Sequence, residues 1–139
     1  MNILIDTNII IDYIAERKPY FEDSRLILES CKLEKINGCV SSQSIADIFY
    51  ILRKSFSEKE RRSILVAICK ILEVESVDKN KLILALENSI FKDFEDCLQY
   101  HCAKSFRADY IITRNISDFS GSDIPCILPS DFCKEYLKE

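Results

Sequence analysis

Glycine is scarce in this 139-residue chain, which has two, Gly38 and Gly121. Neither a G-x-G-x-x-G dinucleotide turn nor a G-x-x-x-x-G-K phosphate loop can be written with them, so the commonest nucleotide-binding loops are excluded. A single histidine, His101, excludes a multi-histidine zinc site and leaves any metal to oxygen or sulfur ligands. No apolar run reaches the roughly 18 residues needed to span a bilayer. The start, Met1 to Asp6, lacks the basic flank and cleavage pattern of a signal peptide. The expectation is a cytoplasmic protein with no membrane partner. The cysteines number seven and are scattered with no C-x-x-C spacing, which argues against a disulfide framework or a paired-thiol zinc site. They read as buried free thiols. Basic charge is also short: 19 Lys and Arg against 23 Asp and Glu give a net charge of −4. That excludes coating nucleic acid by bulk attraction while leaving room for a local site.

What is present is the balance of one domain spanning 1–139, with 47% apolar and 30% charged residues and no repeat, low-complexity tract or linker. Short apolar runs at Asn2–Ile5, Gly38–Val40, Tyr110–Thr113 and Cys126–Leu128 read as strands buried on both faces, the mark of a parallel sheet covered by helices. Helical spacing falls between them: over Ile9–Ile11, Phe21–Lys32 and Ser44–Ser55, and after Ser57, which forms a capping box with Glu60. Further helices start at Asp78, run from about Asp93 to Phe106, and extend from Ser130 as a cap through Tyr136. The element order predicts an α/β fold, a three-layer α/β/α sandwich with a central parallel sheet and Rossmann-like topology without a glycine-rich loop. Ligands of such sheets gather beyond the carboxyl ends of the strands.

Carboxylates fall where that edge would be. Asp6 follows the strand Ile3-Leu4-Ile5, and either caps the next helix or stands as a site carboxylate on a rigid stem. Asp118 lies in Tyr110-Ile111-Ile112-Thr113-Arg114-Asn115-Ile116-Ser117-Asp118-Phe119, where a buried strand again runs out into polar residues. Asp96 opens a helix. Of the acids around it, Asp93 is the better N-cap, Glu95 the better solvated residue, and Asp96 the one next to the apolar face. Asp47 lies within the helix containing Ser44, Ile48 and Phe49 and carries no signal by itself. Together, two acids ending strands and two on helices can be turned to one edge. Gathered there they repel, and a hard divalent cation, Mg²⁺ or Mn²⁺, is implied to offset them. Such an ion favours phosphate oxygens, so the implied substrate is a phosphate ester.

Leu4-Ile5-Asp6-Thr7-Asn8, Ser41-x-x-Ser44-x-x-Asp47, Glu95-Asp96-x-x-x-x-x-x-Ala103 and Thr113-Arg114-Asn115-x-x-Asp118-Phe119 occur in that order. Over essentially the whole chain the sequence resembles a PIN domain, most closely the small single-domain prokaryotic proteins of which many are VapC-type toxins paired with an antitoxin. The resemblance implies a cluster of acids binding one or two Mg²⁺ or Mn²⁺ ions and endonuclease cleavage of single-stranded RNA, leaving a 5′-phosphate and a 3′-hydroxyl. It also implies a homodimer. By motif position Asp6, Asp47 and Asp96 match the first three acids, and Asn115 with Asp118 the final polar pair. Asp6, Asp96, Asp118 and Asn115 are then the metal ligands. Asp47 departs from the pattern, since the family most often has Glu there and Asp is one methylene shorter. Thr7, Asn8 and Thr113 are implied to organise the carboxylates by hydrogen bonding.

His101, five positions after Asp96, is turned from it by about 140° around the helix and reads as a packing residue. Arg53 to Arg62 carries five basic and two acidic residues with Phe56 among them. Arg53 and Lys54 are candidates for RNA phosphates, and Phe56 for stacking a base, unless the stretch is a solvated connection between helices. Arg114 is a further candidate phosphate ligand. A haloacid-dehalogenase-like phosphatase would need a second Asp where Asn8 stands, and a response-regulator receiver would need an acidic pair near the first strand. The stronger rival is a catalytically weakened PIN-like module that binds RNA or protein.

Overall fold

Asn2–Ile5 forms β1, the centre of the sheet. The computed structural model describes residues 1–137, so the last two positions of the expected 1–139 domain lie outside the described residues. From β1 the chain runs through α1 (Thr7–Ile14) and α2 (Phe21–Lys32) to β2 (Asn37–Ser41), then α3 (Ser42–Ile51), a 3₁₀ turn at Leu52–Lys54, and α4 (Glu58–Ile71). It continues through β3 (Glu73–Glu75), α5 (Lys79–Glu87), α6 (Phe94–Phe106), β4 (Tyr110–Ile112), a 3₁₀ turn at Ile116–Phe119 and β5 (Cys126–Ile127). The described chain ends with α7 (Pro129–Phe132) and a π turn at Cys133–Leu137. All five strands are parallel, in the order β3-β2-β1-β4-β5.

Strand side chains alternate between two cores. Ile3, Ile5, Val40 and Ile112 join residues of α1, α2, α3, α4 and α7 on one face. Leu4, Cys39 and Ile111 meet Cys102 and Ala103 of α6 on the other, with Phe119 and Ile124 from the turns that follow β4. These two helical layers make the α/β/α sandwich. Local chemistry sets several boundaries. Ser57 and Glu60 make the capping box of α4, while Ser41, Asp78 and Asp93 cap α3, α5 and α6 through the backbone N–H of Ser44, Lys81 and Asp96. On β2, a Cβ at Gly38 would sit 2.6 Å from Cys31 Sγ and 2.8 Å from Leu72 Cδ2, so any side chain here would have to displace both of these core neighbours.

Several expectations are corrected. Ser130 does not cap the last helix: Pro129 occupies its first turn and Leu128 its cap position, the usual use of a residue with no N–H to satisfy. The edge strand β3 carried no sequence signal, being three residues long and exposed, with two charged residues. All seven cysteines are free, but Cys69 is exposed and Cys126 half-buried, so only five fit the buried reading. Among the described residues no helix is long and apolar enough to cross a membrane.

Candidate active site

The strand order reverses at β1, which has β2 on one side and β4 on the other, and ligand sites of such sheets lie at the carboxyl ends of the strands that flank the reversal. Asp6 and Thr113 are the residues that leave β1 and β4 there. The backbone N–H of Asp6 donates to Ile112 O at 3.0 Å, which extends the ladder one position and fixes the carboxylate at the edge. Asp6 stands at the cap position of α1, yet its side chain makes no capping hydrogen bond. Instead Thr113 Oγ1 donates to Oδ2 at 2.7 Å and Gln99 Nε2 donates to Oδ1 at 3.0 Å, with all three residues buried. The alternative of simple helix capping is thereby excluded.

A cavity of about 350 Å³ opens over Asp6 and is lined also by Asn8, Asp47, Glu95, Asp96 and Gln99, with the exposed Tyr50 and Ile51 on its rim. Asp93 caps the backbone N–H of Asp96 at 2.9 Å, leaving the half-buried Asp96 side chain to the cavity wall. Burial, reinforced by the charges of Asp93, Asp6, Asp118 and Glu95, pushes the Asp96 carboxyl up to about 7. Glu95 is also raised, by burial and by the charges of Asp47 and Asp93. Asp47 is half-buried and accepts a hydrogen bond from Gln43 Nε2 at 3.0 Å. Asp118 and Asn115 are exposed on the 3₁₀ segment after β4 and do not line the cavity, although the charge of Asp118 acts on Asp96. The cavity thus gathers Asp6, Asp47 and Asp96, adds Glu95, and leaves the final polar pair at its margin.

The supporting residues divide. Thr113 bonds Asp6 as expected and is itself held by the Asn115 N–H at 3.0 Å. Thr7 does not reach a carboxylate: its hydroxyl lies 2.7 Å from that of Ser44, which lies 2.9 Å from that of Ser41, a chain of hydroxyls tying α1 to α3. Arg114 is corrected as a phosphate ligand. Its Nε and Nη2 donate to the fully buried Asp12 at 2.8 and 3.2 Å, and its guanidinium stacks 3.9 Å from the centre of the Tyr20 ring. Phe56 is corrected as a stacking platform, because it packs against the larger core. Arg61 is spent on the carbonyls of Phe49 and Phe56, and Arg62 on Glu58. Arg53 lies 3.8 Å over the Tyr50 ring at the cavity rim, and Lys54 beside it is exposed. His101 lies edge-on to Tyr100 and outside the cavity lining.

Gln99 and Glu95 are the site residues that sequence reasoning missed. The available signal for Gln99 was its place three residues after Asp96, on the same helix face. As to a metal, the acidic groups here offer only oxygen, and their mutual repulsion is what a hard divalent cation relieves. Among the described residues no three His, Cys, Asp or Glu side chains are gathered closely enough to hold one as they stand. The donor chemistry fits such an ion, with Asp6, Asp96 and Asp118 as the carboxylates whose charges meet.

A PIN domain family model matches residues 2–117. Ribonuclease VapC1 of Aquifex aeolicus (strain VF5) is 28% identical over 138 residues, covering 96% of this chain and 94% of that protein. Among solved structures, VapBC-1 from nontypeable Haemophilus influenzae superposes with a TM-score of 0.67 at 19% identity, over 94% of this chain and 99% of that one. A toxin-antitoxin complex from Klebsiella pneumoniae gives 0.66 at 21% identity, over 91% and 96%. The solved structures agree with the fold.

Proposed function

This chain belongs to the PIN domain family, and from that premise we propose that it is a Mg²⁺- or Mn²⁺-dependent endoribonuclease that hydrolyses phosphodiester bonds of single-stranded RNA. We further propose that it acts as the toxin of a toxin-antitoxin pair, with an antitoxin protein as its partner. The observation that carries the nuclease reading is a buried carboxylate at the sheet's reversal point, Asp6, given only neutral donors and with its charge acting on Asp96. The relative named a ribonuclease and the complexes among the structural neighbours support the same reading.

Asp6, Asp96 and Asp118, with Asn115, would hold one ion, and Asp47 with Glu95, which also line the cavity, would serve a second. Bound there, a divalent cation supplies Lewis acidity, making water a stronger nucleophile and offsetting charge on phosphate. Thr113 and Gln99 keep the Asp6 carboxylate aimed by donating to both of its oxygens. Tyr50 offers an exposed ring for a base, and Arg53, stacked upon it, with Lys54 offers charge to phosphates on the strand leading in.

The test is cleavage of an end-labelled single-stranded RNA by pure protein. Cutting should require Mg²⁺ or Mn²⁺, stop with EDTA, and fall by more than about 100-fold in both Asp6→Asn and Asp96→Asn, since changes even in residues that only support metal ligands cost 10–100-fold. Full activity in those variants or in EDTA overturns it. A second reading, a weakened PIN-like module that binds RNA or protein, is favoured by the shorter Asp47. It predicts binding that survives both substitutions with no cleavage under either metal.

Homodimerisation belongs to the same proposal. Leu82, Ile83, Leu84 and Leu86 of α5 are exposed, as is Ile90 just beyond it, and a second copy of the chain would cover this apolar surface. Light scattering should give a dimer that Leu86→Lys converts to monomer, and a monomeric native protein would remove the interface.

A further inference from the structure

Gln99 is 5% exposed and lines the cavity together with Asp6 and Asp96. Its amide is orientable in only one way. Asp6 Oδ1, 3.0 Å away, is a carboxylate oxygen that accepts and does not donate, so the Nε2 group must face it. The other amide atom is therefore the carbonyl oxygen, Oε1, which is buried and receives no hydrogen bond from any protein group among the described residues. A buried amide oxygen without a donor is costly, and native proteins rarely leave one. The cavity wall offers the acids Asp6, Asp47, Glu95 and Asp96, the amides of Asn8 and Gln43 and the Tyr50 hydroxyl, and none of them bonds Oε1. The hydroxyls of Thr7 and Ser44 are engaged with each other. What Oε1 needs is a small species that carries its own hydrogens into an anionic pocket.

We propose that Gln99 is a further catalytic residue, whose Oε1 accepts one hydrogen of the water that attacks the phosphodiester. This rests on the nuclease reading above. In the reaction the water oxygen bonds to phosphorus and the bond from phosphorus to the 3′ oxygen breaks, its electron pair leaving with that oxygen. The attacking water gives up a proton and the 3′ oxygen takes one, so the products are a 5′-phosphate and a 3′-hydroxyl. Gln99 neither gains nor loses a proton. By fixing one O–H, its carbonyl sets the direction of the water's lone pair, while its Nε2 keeps Asp6 in place. One neutral side chain thus ties the position of the nucleophile to that of the carboxylate beneath it, which an acid could not do without adding repulsion.

Two measurements test this. A crystal structure of the native protein with Mn²⁺ should show a water within hydrogen-bonding distance of Oε1. Finding Oε1 paired instead to a protein donor overturns the assignment, and this readout needs neither turnover nor a variant. In the second, Gln99→Met keeps the length and removes both polar atoms. At saturating Mn²⁺ and a labelled single-stranded RNA of mixed sequence, kcat should drop about 10–100-fold. KM for the RNA should stay within about threefold. The calorimetric Kd for Mn²⁺ should weaken, because Nε2 no longer holds Asp6, so kcat is read with the ion saturating in each protein. An unchanged kcat, or a loss that raising Mn²⁺ to saturation restores, overturns the proposal, the latter by showing that Gln99 acts only through Asp6. If the native protein cleaves and Gln99→Met equals it, this inference falls alone. A native protein that cleaves nothing removes the nuclease reading and this inference with it.

Discussion

Asp6 and Asp12 are both buried carboxylates at either end of one helical turn and more, and their principal partners are the adjacent residues Thr113 and Arg114. Their treatment differs completely. Asp12 faces a forked guanidinium at 2.8 and 3.2 Å and has a second arginine, Arg17, at 3.8 Å; these offset its charge, while burial still outweighs them and holds its carboxyl above the usual range. Asp6 receives a hydroxyl and an amide, which satisfy its geometry and leave its charge uncompensated. The same two-residue step out of β4 therefore builds a structural clamp on one side and an anionic site on the other. A buried acid with an arginine holds elements together; a buried acid with neutral donors is available for a ligand that brings positive charge.

The largest expected effect breaks the clamp. Asp12→Asn leaves Arg114 without its counter-charge and should cost about 3 kcal/mol in urea unfolding, the low end for removing one partner of a buried pair because Arg114 keeps some contact with water. A loss below about 1 kcal/mol would mean the clamp is not structural. Next, Mn²⁺ at about 100 times its Kd should stabilise the native fold by about 2.7 kcal/mol, and Asp12→Asn by a similar increment. Asp6→Asn should show no such gain. Equal gains in all variants would place the ion elsewhere. In the absence of metal, Asp6→Asn itself should change stability by less than about 1 kcal/mol, because Thr113 can accept from the new amide and repulsion on Asp96 is relieved.

The remaining prediction concerns pH. The Asp96 carboxyl is raised from 3.8 to about 7 in the folded state, so the native protein holds a proton there that the unfolded chain has lost. The contribution of this group to stability is therefore greatest at acid pH and declines as pH rises through the window from 3.8 to about 7. Metal-free native protein should show that decline in thermal melts, and Asp96→Asn should flatten it. An unchanged slope would mean that Asp96 is not held in the anionic cluster.

Much of this was legible from residue order. Asp6 after an apolar strand and the T-R-N-x-x-D-F run after another located the sheet edge, because a buried strand that turns abruptly polar must emerge at an edge. Ser57 with Glu60, Asp78 and Asp93 marked helix starts because capping depends on side chains within three residues of the end. The short, exposed β3 was not legible, since its strand character comes from its pairing with β2 and not from its own side chains. Nor was the Asp12–Arg114 pair, whose members are 102 positions apart. Before that contact is known, an arginine beside a candidate site looks free to bind phosphate.

Taken alone, the sequence determined the helices, four strands, the sandwich they form and the family to which they point, because periodicity, caps and strand ends are properties of neighbouring residues. Only the tertiary structure decided which acids share a cavity, that Asp118 and Asn115 stand at its margin, that Arg114 is spent on Asp12, and that Gln99 carries an unmatched carbonyl beside Asp6. Charge neutralisation and hydrogen-bond satisfaction are settled between side chains distant along the chain, and burial, which makes them count, exists only once the layers have closed.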